Sequence, residues 1–272
     1  MKKFILIVLA LCIYNLPVFA SHCYTCRNIP QTSDNVMTAI EKISGIEYLS
    51  VQATECYWQN YIKKNFQNDV KINIKTKNLH ALKNLEFKEV SAKAKKLKLS
   101  NVTVSDFYVK TICPYNKIDV RNEKAVFPYD LPAEFSAVIT NEDLQTITNS
   151  QNSKNKSPFG IQNVIWRIEN SRIKVTIDLA ALLVNTRITF STGLKINNGK
   201  IVLISPSGVS SSLGMDVNKF LPYLNVHSPF SYVLRLAENT HSYIDLDYLN
   251  IDGDKIYLKG IFLIPQNCDI KS

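Results

Sequence analysis

Cys23-Tyr-Thr-Cys26 is the stretch whose residue types and spacing come nearest to a chemical motif in this chain. Elsewhere a C-x-x-C spacing serves thiol–disulfide exchange or zinc binding. A redox site of the thioredoxin kind should open a helix after a strand, yet this motif lies three residues past an expected signal cleavage after Ala20. Zinc would need two more clustered ligands, and His22, His80, His227 and His241 supply no obvious pair. Structural bridging is therefore the preferred reading, with Cys23, Cys26, Cys56, Cys113 and Cys268 as candidates. That set is odd in number, so at least one thiol stays free or pairs with another molecule. A long-range bridge from Cys23 or Cys26 to Cys56, Cys113 or Cys268 is expected to pin the N-terminus. Closing such a loop is worth about 3–4 kcal/mol in the chain-entropy model.

The remaining chemistry-bearing residues assemble nothing catalytic. Ser207-Gly-Val-Ser-Ser-Ser-Leu-Gly214 places serines near glycines without a G-x-S-x-G elbow. There is no H-E-x-x-H and no Gly-rich phosphate loop. Asp245, Asp247, Asp252 and Asp254 cluster in sequence and suggest calcium at first sight. The first two share one strand face and the others occupy a hairpin tip, so no EF-hand-like loop forms. No catalytic residue, metal or cofactor is expected, and the chain reads as a binding or structural protein. A thiol–disulfide protein using Cys23 and Cys26 is the less favoured alternative.

The address is carried by the N-terminus. Met1-Lys2-Lys3 is a basic n-region, Phe4 to Tyr14 is an uncharged apolar run, and Val18-Phe19-Ala20 suits signal-peptidase cleavage. The run is well short of the ~20 residues of a spanning helix. Leu11 and His22 stand before Cys12 and Cys23 where a lipobox wants a small residue. An exported, periplasmic or extracytoplasmic protein is expected, with a signal peptide over 1–20, a Cys-containing leader over 21–32, one domain over 33–265 and a tail over 266–272. The chain has 32 Lys+Arg against 23 Asp+Glu, a formal net charge of +9. A cation excess favours anionic surfaces, and export argues against nucleic acid as the partner.

The elements that must position any site are mostly strands. Leu194-Lys-Ile-Asn-Asn-Gly-Lys-Ile-Val-Leu203 and Leu249-Asn-Ile-Asp-Gly-Asp-Lys-Ile-Tyr-Leu258 repeat one pattern: two alternating runs about Asn198-Gly199 or Asp252-Gly253. Both dipeptides suit tight hairpin turns, and alternation gives each strand one apolar face. Residues 33–67 read as one kinked helix or two helices, interrupted at Gly45, with an apolar stripe of Val36, Ile40, Ile43, Ile46, Leu49, Ala53, Cys56 and Tyr57. Such a stripe is expected to pack on the core. Strands are expected at 70–74, 87–99, 102–112 and 117–127, then from Phe135 into a helix capped by Thr140 or Asn141. Ser150–Gly160 is a polar linker. Strands follow at 164–169, 172–179, 184–194 and 200–205, a Ser/Gly loop at 207–214, a short helix at 216–224, and strands at 232–236, 243–251 and 255–264. Lys93, Lys95, Lys96 and Lys98 form the densest basic run. It protects a sheet edge or, in the sharper reading, contacts anionic headgroups.

The stretch from Phe127 to Pro265 resembles the LmeA-like phospholipid-binding family of the bacterial envelope. The resemblance rests on Pro132-Ala-Glu-Phe-Ser-Ala-Val-Ile-Thr-Asn-Glu-Asp-Leu144, on Gly193–Leu203 and on Leu249–Gly260, and covers about residues 36–265. It implies an α+β fold similar to tubular lipid-binding domains, a strongly curved antiparallel sheet wrapped around an N-terminal long or kinked helix. The implied ligand is a phospholipid or other acyl-chain lipid in an apolar groove, with an anionic membrane surface as partner. Phe135, Val138, Leu144, Ile147, Phe190, Leu194, Phe220, Leu221, Leu224 and Phe230 are the candidate lining residues. At ~0.8 kcal/mol per buried methylene, enclosing eight carbons would supply roughly 6 kcal/mol before ordering costs.

Overall fold

Tight turns build the larger part of this molecule. Asn198 and Gly199 adopt φ 50° and 69°, the paired positive values of a type I′ turn. They join Val184–Asn197 to Lys200–Ser211. Asn170 and Ser171 (φ 52° and 56°) do the same between Ile161–Glu169 and Arg172–Ala181. The last hairpin turns on Gly253 (φ 59°) and Asp254, because Asp252 pairs with Lys255, one residue beyond the expected Asp252-Gly253 centre.

The computed structural model describes residues 13–14, 44–66, 68–99, 102–113, 116–117, 119–121, 124–126, 129–152, 161–181, 184–211, 216–231, 239–240 and 243–264. In chain order the elements are β1 (Ile13–Tyr14), α1 (Ile46–Phe66), β2 (Val70–Lys75), α2 (Leu79–Lys83), β3 (Glu86–Phe87), β4 (Glu89–Leu99) and β5 (Val102–Thr111). Next come β6 (Asn116–Lys117), β7 (Asp119–Arg121), β8 (Lys124–Val126), β9 (Leu131–Thr140) and α3 (Asn141–Asn152). The remainder comprises β10 (Ile161–Glu169), β11 (Arg172–Ala181), β12 (Val184–Asn197), β13 (Lys200–Ser211), a 3₁₀ turn at Val217–Lys219, α4 (Leu221–Val226), β14 (Asn239–Thr240), β15 (Tyr243–Asp252) and β16 (Lys255–Ile264). The leader 21–32, the first part of the expected helical region, the strand expected at 232–236 and the tail 266–272 lie outside the described residues.

The long strands form two antiparallel sheets. One is a four-stranded meander, β10-β11-β12-β13; the other is six-stranded, ordered β15-β16-β9-β5-β4-β2. This overturns the expected tubular lipid-binding-like α+β fold. The long strands divide between two sheets, neither of them strongly curved or closed, and among the described residues there is no long N-terminal helix wrapped by strands. The physical reason is local: I′ turns close β10 on β11 and β12 on β13, and β11 pairs with β12, while β9 takes β5 and β16 as neighbours instead. Helix α1 is 21 residues long but lies along the edge strand β2. Glu55 Oε1 accepts from Ile74 N at 2.7 Å, and Gln59 Nε2 donates to Ile72 O at 3.2 Å. These are backbone groups that an edge strand would otherwise leave unpaired.

Apolar residues of both sheets join one core cluster that includes Ile72, Leu97, Ile139, Trp166, Val175, Ile188, Phe190 and Ile256. Helix α3 ties the sheets together. Asn141 bonds both the carbonyl and the amide of Ile168 on β10. Asp143 Oδ2 accepts from the Thr140 amide (2.8 Å), the Thr140 hydroxyl (2.9 Å), the Ser105 amide (3.1 Å) and the Ser105 hydroxyl (2.7 Å) on β5. Thr140 is thus the N-cap and Asp143 reaches back to it, the reciprocal arrangement of a capping box. The two hairpin tips meet as well: Ser171 N donates to Gly253 O, and Gly253 N donates to Ser171 Oγ.

Three local expectations change. The strand expected over 117–127 is the pair β7 and β8 with β6 apart from it. The Ser/Gly loop begins later than 207, because β13 continues to Ser211. The helix expected over 216–224 is a 3₁₀ turn followed by α4, with Pro222 in the first turn of α4.

Candidate functional site

The ten candidate lining residues do not make a groove. Leu144, Ile147, Phe190, Leu224 and Phe230 are at most 2% exposed and Leu194 is 9% exposed, all within the common core. Phe230 meets Trp166 edge to face at 6.3 Å. Phe220 and Leu221 are half-buried against the same cluster. Phe135 packs between Phe107 (6.3 Å) and Phe262 (6.2 Å) on the inner face of β9. Val138 is half-buried and alternates with the buried Ala137 and Ile139, which puts it on the outer face. These side chains already have protein partners, so their burial stabilises the fold rather than a ligand.

The basic run is placed differently. Lys93, Lys95, Lys96 and Lys98 are all exposed on β4. Lys96 adopts φ 53°, so Ala94 and Leu97 both reach the core while Lys95 and Lys96 stay in solvent between them. Strand pairing then adds residues that no local pattern reveals. Lys71 stands opposite Lys93, Lys93 opposite Tyr108, Tyr108 opposite Ser136, Ser136 opposite Lys259, and Lys259 opposite Tyr248. One row across the outer face of the six-stranded sheet therefore carries three lysines and two tyrosines. Lys259 Nζ lies 5.3 Å from the centre of the exposed Tyr248 ring, a cation–π contact.

The neighbouring charges sort these lysines into two groups. Glu89 accepts from Lys75 at 2.8 Å and lies 3.4 Å from Lys110, which in turn lies 3.8 Å from Glu134. The Lys75 hydrogen bond, seconded by Lys110, holds the Glu89 carboxyl below its usual range, and Glu89 holds the Lys110 ammonium above its own. Lys96 reaches Glu142 at 3.5 Å. By contrast Lys71, Lys93, Lys95 and Lys98 make no ion pair among the described residues, although Asp106 stands opposite Lys95. Like charges directly opposite, as at Lys71 and Lys93, destabilise a sheet, and an anionic ligand would reverse that cost. The acidic residues Asp245, Asp247 and Asp252 belong to β15 at the far edge, where Lys255 stands opposite Asp252.

Cys56 on α1 is exposed and its thiol is free. Cys113 is buried and disulfide-bonded, with its partner outside the described residues, where Cys23, Cys26 and Cys268 also lie. Among the described residues no group of three His, Cys, Asp or Glu is placed to hold a metal. No described helix is long and apolar enough to cross a membrane. No family model, curated protein or solved structure matches this chain.

Proposed function

We propose that this chain is an exported binding protein that contacts anionic phospholipid surfaces at the level of the headgroups. The observation that carries this reading is the outer-face row Lys71–Lys93–Tyr108 with Lys95 and Lys98 beside it. Lysines supply attraction to phosphate, and tyrosine rings suit the boundary between headgroup and acyl chain. Each lysine near an anionic surface contributes about 1 kcal/mol, so four give roughly the free energy of a millimolar complex. Binding at that strength is reversible, salt-sensitive and dependent on the fraction of anionic lipid. Enclosure of acyl chains is the less supported form of lipid binding, because the residues suited to line a groove are spent on the core.

Flotation with phosphatidylglycerol vesicles tests the reading. Lys93→Glu with Lys95→Glu should abolish flotation at low salt and leave the weak background on phosphatidylcholine unchanged. Equal binding of wild type to both vesicle types would sink it. A phospholipid retained through purification and seen by native mass spectrometry would restore acyl-chain enclosure instead. A chain indifferent to every vesicle would favour the second reading, a structural or interaction module of the envelope, for which the exposed face of α1 speaks.

A further inference from the structure

Lys71 and Lys93 stand directly opposite each other on β2 and β4, both exposed on the outer face of the six-stranded sheet. Side chains so placed start only about 4.5–5.5 Å apart, so the two ammonium groups share one small volume of solvent. The acids of this part of the sheet are engaged elsewhere. Glu89 serves Lys75 and Lys110, and Glu134 also lies at Lys110. Asp69 lies 4.0 Å from Lys63 of α1, and Asp106 stands opposite Lys95. Among the described residues the Lys71–Lys93 pair therefore has no counter-ion. Uncharged donors surround it instead. Asn73 and Ser91 form the next outward pair on the same two strands, and Tyr108 stands opposite Lys93 on β5.

We infer that the Lys71–Lys93 pair is a site for a phosphate monoester, and that the lipid it selects is of the phosphatidate type, whose phosphate carries no further headgroup. This rests on the headgroup reading above and names the lipid within it. A terminal phosphate bears close to two negative charges at neutral pH and three acceptor oxygens. That matches two ammonium groups with a phenol or amide beside them. A diester phosphate bears one charge and two free oxygens, so it neutralises one lysine and leaves the other repelled. Lysine is a compact charge on a flexible stem, and two stems from opposite positions can each donate to a different oxygen of one phosphate. A phosphate without a headgroup also lies lowest on a bilayer, at the boundary that suits lysine stems and the Tyr108 ring.

Register explains why this pair is the selective one. Lys95 faces Asp106, Lys98 faces Thr103, Lys259 faces Ser136 and Tyr248, and Lys255 faces Thr140 and Asp252. Among the described pairs of the six-stranded sheet, only Lys71 and Lys93 set lysine against lysine. The other lysines add general attraction to any anionic surface; this pair adds a preference for double charge on one phosphorus.

Flotation of the mature chain on phosphatidate and phosphatidylglycerol vesicles of equal surface charge tests this. The dissociation constant should be about fivefold lower on phosphatidate, the worth of one further lysine engaged. Phosphatidylmethanol, the same phosphate with one oxygen esterified, should behave as phosphatidylglycerol does. Lys71→Gln, Lys93→Gln and the double variant should each erase the preference and keep weaker flotation on phosphatidylglycerol, whereas Lys98→Gln should keep the preference. Urea midpoints of the Lys71 and Lys93 variants should not fall, since each change removes a like-charge repulsion. Equal binding of the wild type to phosphatidate and phosphatidylglycerol would overturn the inference and leave the headgroup reading in place; flotation on neither would sink both. A preference that survives Lys71→Gln would overturn it as well. So would displacement from phosphatidate vesicles by glycerol 3-phosphate in excess over lipid phosphate, which would assign the site to a soluble phosphomonoester.

Discussion

Asparagine amides stand in for backbone at several strand ends. Asn68 donates to Lys98 O at 3.0 Å and accepts from Lys98 N at 2.8 Å, Asn141 does the same for Ile168, and Asn225 accepts from Leu203 N. An amide carries both a donor and an acceptor in one plane, as a peptide group does, and no other short side chain does so. Asn68 is 4% exposed, so the exchange with water that normally softens such a loss is missing. Asn68→Asp should therefore cost about 1–3 kcal/mol at neutral pH, because an acceptor then faces the Lys98 carbonyl. Burial raises the pKa of the new carboxyl above its unfolded value near 3.9. Protonation restores the donor, so the deficit should shrink as pH falls through the folded-state pKa. Urea midpoints for both proteins at neutral pH and near pH 4 check this, and an equal deficit at both would disprove it.

At the scale of elements, α1 shows what a sequence can and cannot say. Its apolar positions make two stripes, and the one read as core (Ile46, Leu49, Ala53, Cys56, Tyr57) is the one left in solvent. The helix is turned the other way by Glu55 and Gln59, which serve the open edge of β2. Hydrophobic periodicity carries no trace of that polar requirement. Glu55→Ala with Gln59→Ala should leave the fold assembled but bare the β2 backbone. We expect faster aggregation at unchanged helix content, measured by light scattering and circular dichroism. Unchanged solubility would mean that the guard is unnecessary. Strands and turns, in contrast, were legible: alternation and the Asn-Gly and Asp-Gly signals located β4, β5, β10 to β12, β15 and β16 closely, whereas β9 starts before the expected Phe135 and β13 runs on to Ser211 through the expected Ser/Gly loop. The partners of those strands were not, since pairing of Lys71 with Lys93 or Tyr108 with Ser136 is decided by register between distant segments.

For the whole molecule, the single core cluster is the governing fact. Trp166 of the four-stranded sheet and Ile139, Leu97 and Ile256 of the six-stranded sheet belong to it together, and α3 is bonded to both sheets. Neither sheet can shed its inner face without exposing the other's. Trp166 fluorescence in Trp58→Phe and far-UV circular dichroism should therefore report one coincident unfolding transition in urea. Two separated transitions would show that the sheets are independent units.

The order of the six-stranded sheet has a consequence in time. Strand β9 stands between β5, the long strand before it in the chain, and β16, which follows it only after the whole four-stranded sheet. Until the β15–β16 hairpin docks, β9 is an open border whose backbone groups on that side have no partner strand. Such distant pairing closes slowly. The folding chain therefore carries an open β9 border for as long as the last hairpin takes to dock, and that border is the place where a second strand could add by mistake.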